Sequence, residues 1–173
     1  MEASNADPFP FEVASIDALV ISHAHIDHIG RVPLLVKRGF RGPILAQQAT
    51  ADLMPIMLLD SASLAESDAE RFNRRRAHGE PERQPLYTKD DVAEAMEFVR
   101  PLAYDTRDEI LADIDITFRD AGHILGSSIV ELWADGKKLV FSDDLGPTGT
   151  PILRDPTPIE QADLVLMEST YGD

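Results

Sequence analysis

The sequence predicts an α/β protein whose buried strands end in polar, metal-ligating side chains. Three observations predict it. Two short continuous apolar runs, residues 16–22 and 164–167, read as strands buried on both faces. Segments with helical signals separate the first run from a later group of alternating strands. Two of those strands flank Asp135-Gly136, a favoured hairpin turn. This mixture favours an α/β sandwich over a helix bundle or an all-β barrel.

Residues 1–15 read as an extended lead-in, punctuated by Pro8 and Pro10. The first strand follows and runs straight into His23-Ala24-His25-Ile26-Asp27-His28. A short helix comes next, with Pro33 in its first turn and Gly39 as its stop. Residues 44–46 form a short strand. Thr50 is placed to cap a helix carrying Leu53, Ile56 and Met57, and a second, polar helix spans residues 61–76. Residues 79–85 make a loop. Thr88 with Asp91 three positions later forms a capping box, ahead of an apolar face of Val92, Met96 and Val99. After Pro101 the pattern turns to strands: Ile114, Ile116 and Phe118 alternate with polar residues, and residues 129–134 and 138–142 form the hairpin. A proline-rich loop covers residues 147–158. The last apolar run ends on Glu168-Ser169-Thr170-Tyr171-Gly172. No repeat, low-complexity segment or internal linker divides the chain, so one domain is expected.

Composition narrows the chemistry. The chain has 173 residues, 31 acidic groups against 16 basic ones and a formal net charge of −15. It has no cysteine, which excludes disulfides, thiolate catalysis and cysteine-ligated metals. A transition metal must therefore sit on histidine and carboxylate. The charge argues against a broad phosphate-gripping surface. No apolar run reaches the roughly 18 residues of a membrane span, so no membrane partner is expected and the chain reads as cytoplasmic.

Four of the five histidines fall in two short motifs. His23, His25 and His28 share a six-residue window with Asp27, a pattern expected by chance in roughly one sequence in two thousand of this composition. His23 and His25 are two apart on extended chain, so both imidazoles point the same way. Asp27 and His28 follow a turn and reach a second position nearby. One metal needs three protein ligands and a water, whereas four ligands in this order suit two metals sharing a bridging hydroxide. His123, within Asp120-Ala121-Gly122-His123-Ile124-Leu125-Gly126-Ser127, supplies a third ligand to the first metal, with Gly122 and Gly126 allowing close backbone approach. Asp143 or Asp144, after another apolar strand, supplies a bridging carboxylate. Glu168, after a fourth, is placed to support a ligand or carry a proton. Each motif lies just past the C-terminal end of a strand, where α/β sheets gather their sites. His78, in a polar loop beside Arg74, Arg75 and Arg76, reads as solvated surface, and the arginines with Arg71 as a solvated helix face.

At these motifs the sequence resembles the metallo-β-lactamase superfamily and, within it, the β-CASP group of RNA-processing nucleases. The His23–His28 cluster is shared across the superfamily. Residues 120–127 and 168–172 resemble the cleavage-and-polyadenylation endonuclease and its prokaryotic relatives. The resemblance implies two Zn²⁺ ions: His23, His25 and His123 hold one, Asp27 and His28 the other, and Asp144 bridges them. It makes Asp27 and Glu168 the catalytic candidates. The family's usual residue before the bridging aspartate is glycine. Here it is Asp143, which could perturb metal binding or compete as a ligand.

The resemblance also implies a fold, part of an αββα metallo-β-lactamase sandwich truncated at both ends. N-terminal strands, a β-CASP cap and a C-terminal segment with the last ligand of the second zinc are expected outside residues 1–173. The function implied is zinc-dependent cleavage of RNA phosphodiester bonds, with single-stranded RNA as partner and a homodimer in the full-length protein. The fragment alone is expected to be inactive or very weak. Two rival readings share the residues: a hydrolase of a small thioester, lactone or lactam, and a non-catalytic scaffold subunit.

Overall fold

The computed structural model describes residues 5–170 and 172. The first four residues of the lead-in, and Tyr171 of the 168–172 motif, lie outside the described residues. Strand β1, Leu19–Ile21, leads through His23 into a one-turn helix α1, Ile26–Ile29, and helix α2, Val32–Lys37. Pro33 stands in the first turn of α2, and Gly39, at φ +109°, follows its end. Strand β2, Ile44–Gln47, enters α3, Gln48–Arg75. Helix α4, Lys89–Met96, precedes β3, Val99–Leu102. Five strands follow: β4 Arg107–Leu111, β5 Ile114–Asp120, β6 Ser128–Ala134, β7 Lys137–Phe141 and β8 Leu164–Leu166.

The strands form two sheets. One is parallel, in the order β1-β2-β3, and the other runs β4-β5-β6-β7-β8. Side-chain alternation assigns each face. In β2, Ile44 and Ala46 face the helices with Phe40, Met54 and Leu58, while Leu45 faces the second sheet with Ile116, Phe118 and Val130. The order is therefore helices, sheet, sheet. The outer face of the second sheet carries Ile129 and Val140, against which Leu145 and Ile159 of the long loop pack. Glu131 lies on that side too, and its buried carboxylate is paired with Arg119 (2.8 Å) and Lys138. This architecture is the expected part of an αββα sandwich, three layers of it built of regular elements.

Several local expectations are corrected. The helices expected at 50–57 and 61–76 are one 28-residue helix, which contains Pro55. Its buried stripe of Thr50, Met54, Leu58 and Ala62 recurs every four residues and continues past the proline. Thr50 lies inside this helix, and Gln47 caps it through a bond from the Ala49 N–H. The Thr88–Asp91 capping box is present, but α4 ends at Met96 and Val99 opens β3. Pro101 fits there because β3 is an edge strand, where a missing N–H is tolerated. The Asp135-Gly136 turn joins β6 to β7 with both residues at positive φ. The final run is not buried: Leu164, Val165 and Leu166 are 53%, 55% and 47% exposed. Strand β8 pairs only with β7, and among the described residues no layer covers either of its faces. No described helix is long and apolar enough to cross a membrane.

Candidate metal centre

The topology brings four strand ends to one place. Strands β5 and β7 are both antiparallel to β6, and β8 is parallel to β7, so β5, β7 and β8 end at the same edge. β1 of the other sheet delivers His23 and His25 opposite them, and α1 turns the chain so that Asp27 and His28 follow. His123 stands in the turn after β5, Asp143 and Asp144 after β7, and Glu168 after β8.

There the donor atoms converge. Nδ1 of His25 lies 3.0 Å from Nε2 of His23 and 3.1 Å from Nε2 of His123. Oδ2 of Asp144 lies 3.7 Å from Nε2 of His23, 3.6 Å from Nε2 of His123 and 3.5 Å from Nε2 of His28. One donor atom from each of His23, His25, His123 and Asp144 falls within 4.8 Å of the others, and His23, His28 and Asp143 form a second such group. Asp27 is not in either group. It sits in the first turn of α1 with its side chain 76% exposed and Oδ2 3.6 Å from Nε2 of His28. The remaining histidine, His78, is exposed in its loop, and the arginine-rich end of α3 pairs with local carboxylates such as Glu82.

The electrostatics suit cation binding. Imidazoles this close cannot all be protonated without mutual repulsion. Burial, and then the neighbouring His23 and His123 rings, hold His25 below the ordinary imidazole range, so its ring is neutral and able to ligate. Burial works against the Asp143 carboxylate, but its bond to His23 and the nearby His28 and His23 rings outweigh that and keep it below the usual range. Nitrogen and carboxylate donors in this number are the set that divalent transition metals prefer.

A buried scaffold fixes the donors. Ser127, fully buried, accepts from the His123 and Ile124 N–H groups through its Oγ, closing the turn around His123. Its carbonyl accepts from Tyr104 Oη at 2.7 Å and from the Ala121 N–H. Burial pushes the Tyr104 phenol well above its usual range, so it remains a donor. Thr50 Oγ1 donates to the Gly126 carbonyl at 2.7 Å, tying the turn to the start of α3. Gly146 brings the Asp144 segment against the His123 turn: a β-carbon there would meet the Gly122 carbonyl oxygen at 1.7 Å. The Glu168 carboxylate accepts the Leu145 N–H at 2.7 Å, and this bond, with Thr170, holds its pKa below the usual glutamate value. Sequence reasoning missed Thr50 and Tyr104 because each contacts the site from a distant element. Ser127 stood inside a recognised motif, where a serine beside a glycine turn was the available signal.

A profile of the metallo-beta-lactamase superfamily matches residues 9–170. The chain belongs to the metallo-β-lactamase superfamily. Its relatives in that superfamily include "Ribonuclease TTHA0252" of Thermus thermophilus, 38% identical over 99% of this chain and 36% of that protein. The "Transcription termination factor FttA" of Methanosarcina mazei is 34% identical over 96% of this chain and 24% of its own length. An "RNase J-like protein" of Methanocaldococcus jannaschii is 32% identical over 91% and 32%. This chain thus spans about a third or less of the relatives it matches. The metallo-beta-lactamase fold protein YhfI of Bacillus subtilis superposes with a TM-score of 0.44 at 15% identity, over 81% of this chain and 45% of that one. The β-CASP resemblance read from residues 120–127 and 168–172 agrees with the names these relatives carry, and the superfamily fold implies divalent-metal binding, for which the clustered donors are candidates.

Proposed function

We propose that this chain carries the metal-binding half of a ribonuclease site that hydrolyses RNA phosphodiester bonds with two zinc ions. The observation that carries the reading is the convergence of four imidazoles, from both sheets, around Oδ2 of Asp144. His23 through Nε2, His25 through Nδ1 and His123 through Nε2 hold one ion. His28 and Asp27 hold the other, and Asp144 is shared. The donors fit zinc, because three imidazoles, with a carboxylate shared between the two positions, supply nitrogen and oxygen ligands without thiolate. When bound, the ions supply Lewis-acid polarisation of a phosphoryl oxygen and acidify water toward neutrality.

The chain's own residues then have defined tasks. Asp27, exposed beside His28, would use the carboxylate oxygen that does not hold the ion to accept the proton of an attacking water. Glu168, through its bond to the Leu145 N–H, keeps Asp144 against the His123 turn and lends a second carboxylate for proton handling. The net charge of −15 argues against a broad phosphate-gripping surface on these residues themselves. The cap, the remaining grip on RNA and the last ligand of the second ion lie, in this reading, outside these residues. The relatives named as ribonucleases support RNA as substrate.

The test compares substrates. The protein that carries this chain is assayed with zinc on single-stranded RNA and on a thioester, a lactone and a β-lactam. Cleavage of RNA at a rate well above the small substrates is expected. Turnover of a small substrate with RNA untouched overturns the reading.

A further inference from the structure

Asp143 has φ +48°, in the left-handed region where a β-carbon is penalised and glycine is free. The side chain retained at this unfavourable position has definite partners. Its Oδ1 lies 3.3 Å from Nδ1 of His28 and accepts the Asp144 N–H at 3.0 Å. Its Oδ2 lies 3.7 Å from Nδ1 of His23, where Ser22 Oγ is nearer at 3.2 Å. The opposite nitrogens of the same two rings face Asp144, at 3.5 Å for His28 and 3.7 Å for His23. The two adjacent aspartates therefore address opposite sides of the same imidazoles.

A neutral imidazole has one N–H donor and one lone pair. A ligating histidine is held in its tautomer and orientation by the bond its other nitrogen makes, commonly to a carboxylate. We propose that Asp143 is a positioning residue. Its Oδ1 accepts the Nδ1–H of His28, and Ser22 Oγ, with the charge of Oδ2 behind it, receives that of His23, so both rings present Nε2 toward Asp144. His28 depends on it more, because Asp143 is its nearer partner and Ser22 serves His23. This rests on the reading of the site as a metal centre. It also decides between two uses of Asp143, since His23, His28 and Asp143 lie close enough to hold an ion themselves. His23 already turns Nε2 toward His25, so membership of both groups would require a doubly deprotonated ring bridging two ions.

The experiment uses the chain with ¹⁵N-labelled histidine, as wild type, Asp143→Gly and Asp143→Asn. Long-range ¹H–¹⁵N correlation on the metal-free protein at pH 8 reads the tautomer of each ring. Zinc and cobalt titrations read affinity and the number of ions. Wild type is expected to show His28 as the Nδ1–H tautomer. Asp143→Gly, which relieves the backbone, is expected to stay folded and to lose that tautomer. Its metal affinity should fall about 10–100-fold with the number of ions unchanged. Asp143→Asn, whose side-chain oxygen still accepts, should restore most of both. An unchanged tautomer in Asp143→Gly overturns the proposal. So does loss of one bound ion, which would make Asp143 a ligand. Wild type that shows the expected tautomer but binds no divalent ion would sink the metal reading while leaving the orientation intact.

Discussion

Nε2 of His28 lies 3.5 Å from Oδ2 of Asp144, and the two residues come from different sheets. His28 follows β1 of the parallel sheet, and Asp144 follows β7 of the other. The centre therefore exists only while the two sheets stay packed. Phe118 and Leu45 are among the side chains that fill the space between them.

The first prediction concerns that packing. Phe118→Ala should destabilise the chain by about 3–5 kcal/mol through cavity formation. It should also weaken zinc binding, although Phe118 touches no ligand. Urea denaturation and zinc titration of the same protein check both effects. A destabilisation of that size with unaltered zinc affinity would show that the packing between the sheets does not set the site.

Gly146 offers a sharper probe. An added β-carbon would meet the Gly122 carbonyl and the His123 nitrogen, both backbone atoms that cannot step aside. Gly146→Ala should cost at least about 1–3 kcal/mol. It should reduce zinc affinity more than Gly136→Ala, whose β-carbon would meet nothing. Gly136 has a positive φ and Gly146 does not, so the cost of Gly136→Ala is backbone strain alone, whereas that of Gly146→Ala comes from the close approach.

Thr50 tests the reach of the buried scaffold. Thr50→Val keeps the shape but removes the shorter of the two hydroxyl bonds to the Gly126 carbonyl, leaving that of Ser128, a loss of about 0.5–1.5 kcal/mol. Amide exchange in residues 121–127 should accelerate relative to that of β6. Equal protection in wild type and variant would show that the bond to Thr50 does not hold the turn.

The pH dependence follows from His25. Burial and the adjacent rings lower its pKa in the folded state, so between the folded and unfolded values the unfolded chain binds more protons. The contribution to stability is fully present above the unfolded value of about 6.5 and is lost as pH falls through the lowered folded value. For the metal-free chain, the urea midpoint should drop between pH 7.5 and 5.5. His25→Gln should flatten that drop, and an equally steep drop in the variant would place its origin elsewhere.

Much of this site was legible in the sequence because ligands cluster locally. His23, His25 and His28 share one strand end, and the motif around His123 carries its own glycines. The α/β sandwich class followed from the apolar runs and the hairpin turn, and the αββα layer order from the family resemblance. What was not legible depends on neighbours far along the chain. The 164–167 run has the composition of a buried strand, yet burial is set by what packs on it, and β8 lies at the sheet edge with open faces. Thr50 looks like a cap from its neighbours in sequence, but its hydroxyl is used by Gly126, 76 residues away. Asp143 was visible as an oddity. Only the ring orientations of His23 and His28 distinguish an orienting carboxylate from a ligand.

The most direct test of the account is cleavage of end-labelled single-stranded RNA by the protein that carries this chain. It is run as wild type, after chelation, after zinc is restored, and as His25→Ala. Cleavage is expected to disappear on chelation, to return with zinc and to be absent from His25→Ala. RNA cleavage that survives both chelation and His25→Ala would contradict the account.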